Sequence, residues 1–170
     1  MVFDRETIQA LEQFTPAPWS GIVFRHMFAA FPPERENRSG ARWNPPQTPA
    51  IYTSLARDTA ISEADYYIGL QPIRPSARRI VYRIEVTLHS VLDLSDSLTL
   101  SKLVLNKDSL ASIDHSACRM IGGAVEWLGH DGLLVPSARA EGMNLVIFPN
   151  RKTPDYQFEV LDSEELSISS

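Results

Sequence analysis

The sequence holds a single cysteine, Cys118, among its 170 residues. One thiol excludes an internal disulfide framework and a zinc site built on paired cysteines. Because Cys118 lies among small and apolar residues in HSACRMIGGA, a small buried thiol is a better interpretation than a nucleophile. The four histidines show neither HxxxH nor HExxH spacing, so no metal site is predicted.

Several further features are missing. No apolar run approaches the roughly 18 residues that a membrane-spanning helix requires. The N-terminus, MVFDRETIQALEQF, carries charge within its first five residues and lacks the apolar core of a signal peptide, so we expect a cytoplasmic protein. Neither GxGxxG nor GxxxxGK[ST] nor GxSxG occurs, so no standard nucleotide-binding loop and no serine-hydrolase elbow is predicted.

The charge balance is acidic overall and basic in one place. A net charge of -5 argues against binding to nucleic acid or to an anionic membrane surface, and neither is expected. Between residues 25 and 42, however, four arginines face only two glutamates: Arg25, Arg35, Arg38 and Arg42 against Glu34 and Glu36. Such a local cluster still suits a phosphate or a carboxylate.

Hydrophobic periodicity predicts helices over 4–14, 55–70 and 115–130, and strands over 21–29, 50–54, 79–88, 131–136, 144–149 and 156–161. TPAPWSG predicts a break, residues 31–48 a long loop, and 93–115 remain ambiguous. Gly122 and Gly123 inside the third helix predict close packing against a neighbour. The pattern predicts one α+β domain over 1–170, with a core at about 20–150, an N-terminal helix and linker at 1–19 and a frayed tail at 163–170.

Two arginines stand out as candidate anion ligands. Arg25 lies in an otherwise apolar strand, where it either faces solvent or captures an anionic group, and the two alternatives are equally supported. Arg42 belongs to the triplet Arg42-Trp43-Asn44, directly before two prolines. Taken alone, that triplet is better interpreted as a packed corner with a solvated arginine than as the rim of a pocket.

Four further residues are candidates for a site. Tyr52 lies on a predicted strand, and Glu63 lies beside the apolar stripe of the next helix, where it is either a carboxylate with a catalytic task or an ordinary flanking charge. Ser137 follows a strand and a proline, and a polar loop leads from it to Asn144. Without a GxSxG elbow, Ser137 is better interpreted as a hydrogen-bond donor than as a nucleophile.

Together and in order, these segments resemble the RES-domain family of bacterial toxins, named after an Arg, a Glu and a Ser. The resemblance rests on FRH at 24–26, GARWNPPQTPAIYTS at 40–54, DTAISEA at 58–64 and IGGAVEWLGHDGLLVPSARAEGMNLVIFP at 121–149. Two positions depart from the family pattern: Gln47 stands where a Gly is usual, and Ala41 where Gly-Gly-Arg is common. A non-glycine residue at 47 puts the shape of that turn in doubt.

The resemblance implies a compact fold related to the ADP-ribosyltransferases, a mixed sheet with flanking helices, and NAD as substrate rather than cofactor. It implies a site lined by Arg25, Arg42, Tyr52, Glu63 and Ser137, with Asn144 nearby. On that basis the arginines would bind the pyrophosphate, Tyr52 would stack on the nicotinamide or its ribose, and Ser137 would orient the ribose or the amide. Glu63 would stabilise the oxocarbenium-like ribose when the N-glycosidic bond breaks.

The resemblance leaves the acceptor of the ADP-ribosyl group open. Hydrolysis or phosphorolysis of NAD is preferred, protein ADP-ribosylation is the second alternative, and a non-catalytic binding module is a third of another class. The family also implies a helix-turn-helix antitoxin of the Xre type, whose C-terminal part would block the pocket and which would itself contact operator DNA.

Overall fold

The sheet is built from the segments in which β-branched and aromatic residues concentrate. The computed structural model describes residues 3–73, 76–103 and 114–167. The strands within them are β1 (Ala17–Phe28), β2 (Ile51–Ser54), β3 (Arg79–Asp93), β4 (Gly132–Pro136), β5 (Met143–Ile147) and β6 (Gln157–Glu165). The helices are α1 (Arg5–Glu12), α2 (Arg57–Gly69), α3 (Ser97–Lys102) and α4 (Ser116–Trp127), with a 3₁₀ turn at Pro149–Arg151.

The strands form one mixed sheet that closes on itself. β1 pairs antiparallel with β2 and β3, β2 with β5, and β5 with β4, while β4 runs parallel to β3. The pairings therefore form a ring of five strands, and β6 pairs with the N-terminal part of β3. The predicted α+β class and the mixed sheet are confirmed.

The first strand begins earlier than the sequence predicts. The predicted break at TPAPWSG is wrong, because β1 starts at Ala17 and pairs with β3 from there. The register is irregular between Ala17 and Trp19, where two steps along β1 match three along β3, so Pro18 lies opposite a bulge in β3. Irregular positions of this kind are where strands accommodate proline. A proline alone therefore signals a bulge as readily as a break.

The C-terminal part is also more ordered than predicted. β6 runs to Glu165 and pairs with Ile80–Thr87 of β3, so the predicted frayed tail is wrong for residues 163–165. Its acidic side chains meet arginines: Asp162 with Arg83, Glu164 with Arg57 and Glu165 with Arg78. The acidic composition of β6 is therefore explained by its ion pairs with these arginines. Residues 168–170 lie outside the described part of the chain.

Each predicted helix is present. Asp4 caps α1 by accepting a hydrogen bond from the Thr7 amide. Within the ambiguous stretch 93–115, the chain forms α3, and residues 104–113 lie outside the described residues. Among the helices described, none is both long and apolar enough to span a bilayer.

Two apolar clusters stabilise the sheet. One packs α1 and α4 against β4 and β5 through residues such as Leu11, Val125 and Phe148. The other joins β1, β3 and β5 around Val23 and Ile84. The rigid body that results holds α2 and the 31–48 loop beside the ends of β1, β2 and β5, where the polar candidates lie.

Candidate active site

A pocket of about 260 Å³ lies between α2 and the sheet. Strand pairing brings its walls together, because Ser54 of β2 is in register with both Phe24 of β1 and Asn144 of β5. The predicted residues that line it are Arg25, Arg42, Tyr52, Glu63 and Asn144. Ser137 lies between the lining residues Pro136 and Ala138. The structure thus brings all six predicted residues to one place.

At one end of the pocket, a carboxylate receives two hydrogen bonds on one oxygen. Glu63 Oε1 accepts from Ser137 Oγ at 2.6 Å and from Asn144 Nδ2 at 3.0 Å. Asn144 is held in turn by Ser54, whose hydroxyl donates to Asn144 Oδ1 at 2.7 Å. We refer to Glu63, Ser137, Asn144 and Ser54 as the carboxylate end.

The Ser137 hydroxyl is fixed as a donor. Its oxygen accepts from the amides of Arg139 and Ala140, both at 3.2 Å, so its proton is directed to Glu63. The turn that carries it is closed by a bond from the Ser137 amide to the Gly142 carbonyl. In this arrangement Ser137 acts as a hydrogen-bond donor that orients Glu63.

Tyr52 connects the sheet to the 31–48 loop. Its hydroxyl donates to Asn44 Oδ1 at 2.6 Å and accepts from the Trp43 amide at 2.9 Å. Burial raises the pKa of Tyr52 well above its usual value, although the bond from the Trp43 amide opposes the change. Tyr52 is therefore neutral, and its ring forms a wall of the pocket.

Asn44 holds the loop together from inside. It is fully buried, and its Nδ2 donates to the Thr48 carbonyl at 2.8 Å and to Asn37 Oδ1 at 3.2 Å. Sequence reasoning named Asn44 only as part of a corner and gave it no role. A buried amide that satisfies its own loop is not distinguishable, in the sequence, from one that faces a ligand.

Arg25 is neither solvated nor paired with a carboxylate among the described contacts. It is 8% exposed, and its guanidinium donates to the carbonyls of Pro33 and Arg35, the second at 2.7 Å. Burial lowers its pKa to about 10, against the opposing effect of Glu34. The solvated alternative is wrong, and the guanidinium braces the 31–48 loop beside the pocket.

Arg42 is buried as well, at 7% exposure, and it lines the pocket. It lies beside Cys118, whose pKa burial raises to about 11 although Arg42 opposes the change. The Cys118 thiol is thus buried and protonated, as the sequence predicts. Arg119 supports the same corner by donating from Nε to the Ala41 carbonyl at 2.8 Å.

The corner around Trp43 requires a glycine opposite it. A Cβ on Gly122 of α4 would lie 1.7 Å from the Trp43 carbonyl oxygen, so only glycine fits there. This contact confirms the close packing predicted for the paired glycines. In the same loop, Gln47 has a φ of 74°, the left-handed conformation that glycine adopts most easily. The turn keeps that geometry without the usual glycine.

Sequence reasoning missed several pocket residues. His26, Ser54 and Tyr67 also line the pocket, and none was proposed for the site. The only sequence signal for His26 was its position next to Arg25. Ser54 reaches the site because β2 pairs with β5 in a register that sets it opposite Asn144, and the sequence does not reveal that register. Within the described residues, no three side chains of His, Cys, Asp or Glu come together as metal ligands would.

The fold and the pocket place the chain in the α+β class, with a polar site between one helix and the sheet. A family model described as the RES domain matches residues 18–169, and the chain therefore belongs to the RES-domain family. The resemblance read from the motifs is confirmed.

Two similar relatives carry the same name. NAD(+) phosphorylase MbcT of Mycobacterium bovis is 29% identical over 174 aligned residues, which cover 96% of this chain and 92% of that protein. The MbcT of Mycobacterium tuberculosis gives the same identity and coverage, 29% over 96% and 92%. A crystal structure of the M. tuberculosis MbcT–MbcA toxin–antitoxin complex superposes with a TM-score of 0.87 at 26% identity, covering 98% of this chain and 94% of that one.

Proposed function

We propose that this protein is a toxin that cleaves the bond between nicotinamide and ribose in NAD. The observation that carries the proposal is the carboxylate end, where Ser137 and Asn144 fix one oxygen of Glu63 beside a pocket. A carboxylate that is held in place before the substrate arrives stabilises a developing positive charge without having to reorganise. The relatives named NAD(+) phosphorylase support the same chemistry.

The proposed reaction begins as the C1′–N1 bond lengthens. Both electrons leave with the nitrogen, so the cationic pyridinium becomes neutral nicotinamide and the positive charge moves to the ribose. Both described bonds to Glu63 end on Oε1, which leaves Oε2 available for a ribose hydroxyl. Since the leaving group is neutral, no general acid is required, and one carboxylate is sufficient, in contrast to ordinary glycosidases.

The other predicted residues complete the proposed pocket. The Tyr52 ring, fixed by its hydroxyl, offers a flat surface to the nicotinamide or its ribose. Arg42 and Arg25 supply positive charge for the pyrophosphate. Arg25 does so with the N–H groups that its two loop carbonyls leave over, so its larger contribution is to hold the 31–48 loop.

We propose inorganic phosphate as the acceptor, in line with the name of the relatives, so that its oxygen forms the new bond to C1′. Water is the second acceptor and a protein side chain the third. An antitoxin is the proposed partner, because the structural relative is a toxin–antitoxin complex. A helix-turn-helix antitoxin of the Xre type that covers the pocket, in the cytoplasm, is the specific expectation, and co-purification with the product of a neighbouring reading frame tests it.

The reaction is tested by incubating the purified chain with NAD, with and without phosphate. We expect nicotinamide release that depends on phosphate, together with a new phosphorus resonance from ADP-ribose carrying an added phosphate. Release without phosphate would assign hydrolysis instead. No release in either buffer, with a folded chain that still binds NAD, would contradict phosphorolysis and hydrolysis and leave a non-catalytic binding module or transfer to a protein acceptor.

A further inference from the structure

A histidine on β1 lies in the pocket without a role in the proposed mechanism. His26 lines the pocket two residues beyond Phe24, so both side chains leave the same face of the strand. Its ring meets the Phe28 ring edge to face, with centroids 5.5 Å apart. This face is the one that α2 covers, and the pocket residues Glu63 and Tyr67 come from that helix.

The His26 ring is the end of a short hydrogen-bonded chain. Arg79 of β3 donates from Nε to His26 Nε2 at 2.8 Å and from Nη2 to Asp65 Oδ1 at 2.7 Å. A guanidinium has donors only, so the ring nitrogen that accepts from it carries no proton. His26 is therefore neutral, with its proton on Nδ1.

A proton on Nε2 would break the bond from Arg79 and set two cations side by side. In the observed state, the charge of Arg79 is balanced by Asp65, and the three side chains together carry no net charge. Arg79 is largely covered, with 17% of its side chain exposed, so solvent screens this contact only in part. Burial, followed by Arg79, lowers the pKa of His26 to about 4, against the smaller opposing effect of Asp65.

We propose that Arg79, which Asp65 holds in place, keeps His26 uncharged so that the pocket accepts a cationic ring, a role that rests on the proposed function. The pyridinium of NAD carries a positive charge, which moves to the ribose as the bond breaks. An imidazolium in the same pocket would repel both the substrate and the transition state. Arg79 is thus a positioning residue that acts through His26, because it protects the neutral state of the ring as the pH falls.

Other charged groups near His26 do not take the place of Arg79. Glu63 and Tyr67 of α2 line the same pocket, and the Glu63 oxygen Oε1 is engaged by Ser137 and Asn144. The cations Arg25 and Arg42 line it too, and Arg25 donates to loop carbonyls rather than to the His26 ring. On β3, Arg83 pairs in register with Phe24 and forms an ion pair with Asp162 at 2.6 Å. Of these groups, Arg79 alone has a described bond to the ring, and Asp65 acts through it.

The first test is the pH profile of kcat/KM for nicotinamide release in the parent chain and in Arg79→Met. Between pH 7.5 and 5.5 we expect no His26 titration in the parent. In Arg79→Met, where burial still lowers the His26 pKa, we expect a fall that begins within this range and stays below the roughly tenfold that an ordinary histidine pKa of about 6.5 would give. The double variant Arg79→Met/His26→Phe should lose that fall. Arg83→Met, which removes a surface ion pair from the same strand, should keep the parent profile. A uniform loss at every pH in Arg79→Met, or no change at all, would overturn the proposal.

The second test does not depend on catalysis. Nitrogen NMR of the folded chain reads the protonation of each imidazole nitrogen, and it remains informative if no nicotinamide is released. We expect His26 to show a bare Nε2 and a protonated Nδ1 from pH 7.5 to 5.5 in the parent, and to begin to gain the second proton toward pH 5.5 in Arg79→Met, where burial alone lowers its pKa. A protonated Nε2 or a charged ring in the parent at pH 6 would overturn the proposal, whatever the activity.

Discussion

The two sides of the pocket use hydrogen bonds in opposite ways. At the carboxylate end, three elements converge so that donors meet one oxygen of Glu63. Around the 31–48 loop, side chains instead donate to the carbonyls of the loop itself. Arg25 of β1 donates to those of Pro33 and Arg35, and Asn44 donates to that of Thr48. The comparison teaches that a side chain can look functional in a sequence and still be committed to holding the wall of a site.

The largest effect is expected at the carboxylate end. Glu63→Gln keeps the shape and removes the charge, so turnover of NAD should fall on the order of 10³-fold, the upper range for loss of one electrostatic contact at a reacting centre. Nicotinamide release measures it. Asp58→Asn, on the same helix with 93% of its side chain exposed, is the matched control and should keep the parent rate. Equal rates in Glu63→Gln and the control would remove Glu63 from the mechanism.

The 31–48 loop should instead show its role in stability. In Gly122→Ala, the new Cβ would meet the Trp43 carbonyl oxygen at 1.7 Å, and the loop must move. We expect a loss of about 3 kcal/mol in the free energy of unfolding, the upper end for overpacking. Gly69→Ala, where no atom lies within 4 Å of the new Cβ, is the control and should be neutral or stabilising. Similar denaturation midpoints for the two would contradict the close contact.

The link between the two sides is the Tyr52 hydroxyl. Tyr52→Phe leaves the buried Trp43 amide and Asn44 Oδ1 without their described partner, which should cost roughly 2 kcal/mol of unfolding free energy. Tyr82→Phe, at a hydroxyl with no described hydrogen bond, should cost little. The ring of residue 52 remains in place, but the 31–48 loop loses the hydroxyl that holds it. Since the loop is the binding wall, KM for NAD should change more than kcat. A loss confined to kcat would give the hydroxyl a direct catalytic role.

The smallest effect concerns Gln47. Its side chain is exposed and its φ is 74°, so Gln47→Gly removes backbone strain at the expense of a more flexible unfolded chain. The difference should stabilise the protein by about 0.5 kcal/mol, measured by urea denaturation. Thr48→Gly, at the next residue, relieves no left-handed backbone strain and should therefore lower the free energy of unfolding. If both glycine variants destabilise alike, the left-handed turn carries no strain worth relieving.

Much of the fold was predictable because it follows local periodicity. The α+β class and the predicted helices and strands followed from spacing, and Gly122 was rightly expected to face a close neighbour. The errors fell where tertiary pairing overrides local signals. Pro18 lies opposite a bulge in β3, and acidic residues after Val160 form ion pairs with Arg83 of β3 and with Arg78, the residue before that strand. No local pattern contains those partners.

The grouping of the candidate residues in one pocket was predictable, and their hydrogen bonds were not. The motifs of the family named Arg25, Glu63 and Ser137, and the structure brings them together. Whether Arg25 meets a ligand or its own loop depends on where the 31–48 chain turns, and the neutrality of His26 depends on Arg79, 53 residues away in sequence. Such contacts are set by strand register and loop path, which a single sequence does not encode locally.

The most direct test of the account is NAD binding by Glu63→Gln, measured by titration calorimetry beside its nicotinamide release. The account predicts one NAD bound per chain with release slowed on the order of 10³-fold, because the variant loses the charge that stabilises the transition state and keeps the rest of the pocket. Release at the parent rate, or a folded variant that no longer binds NAD, would contradict the division of the pocket into a carboxylate end for chemistry and a loop for binding.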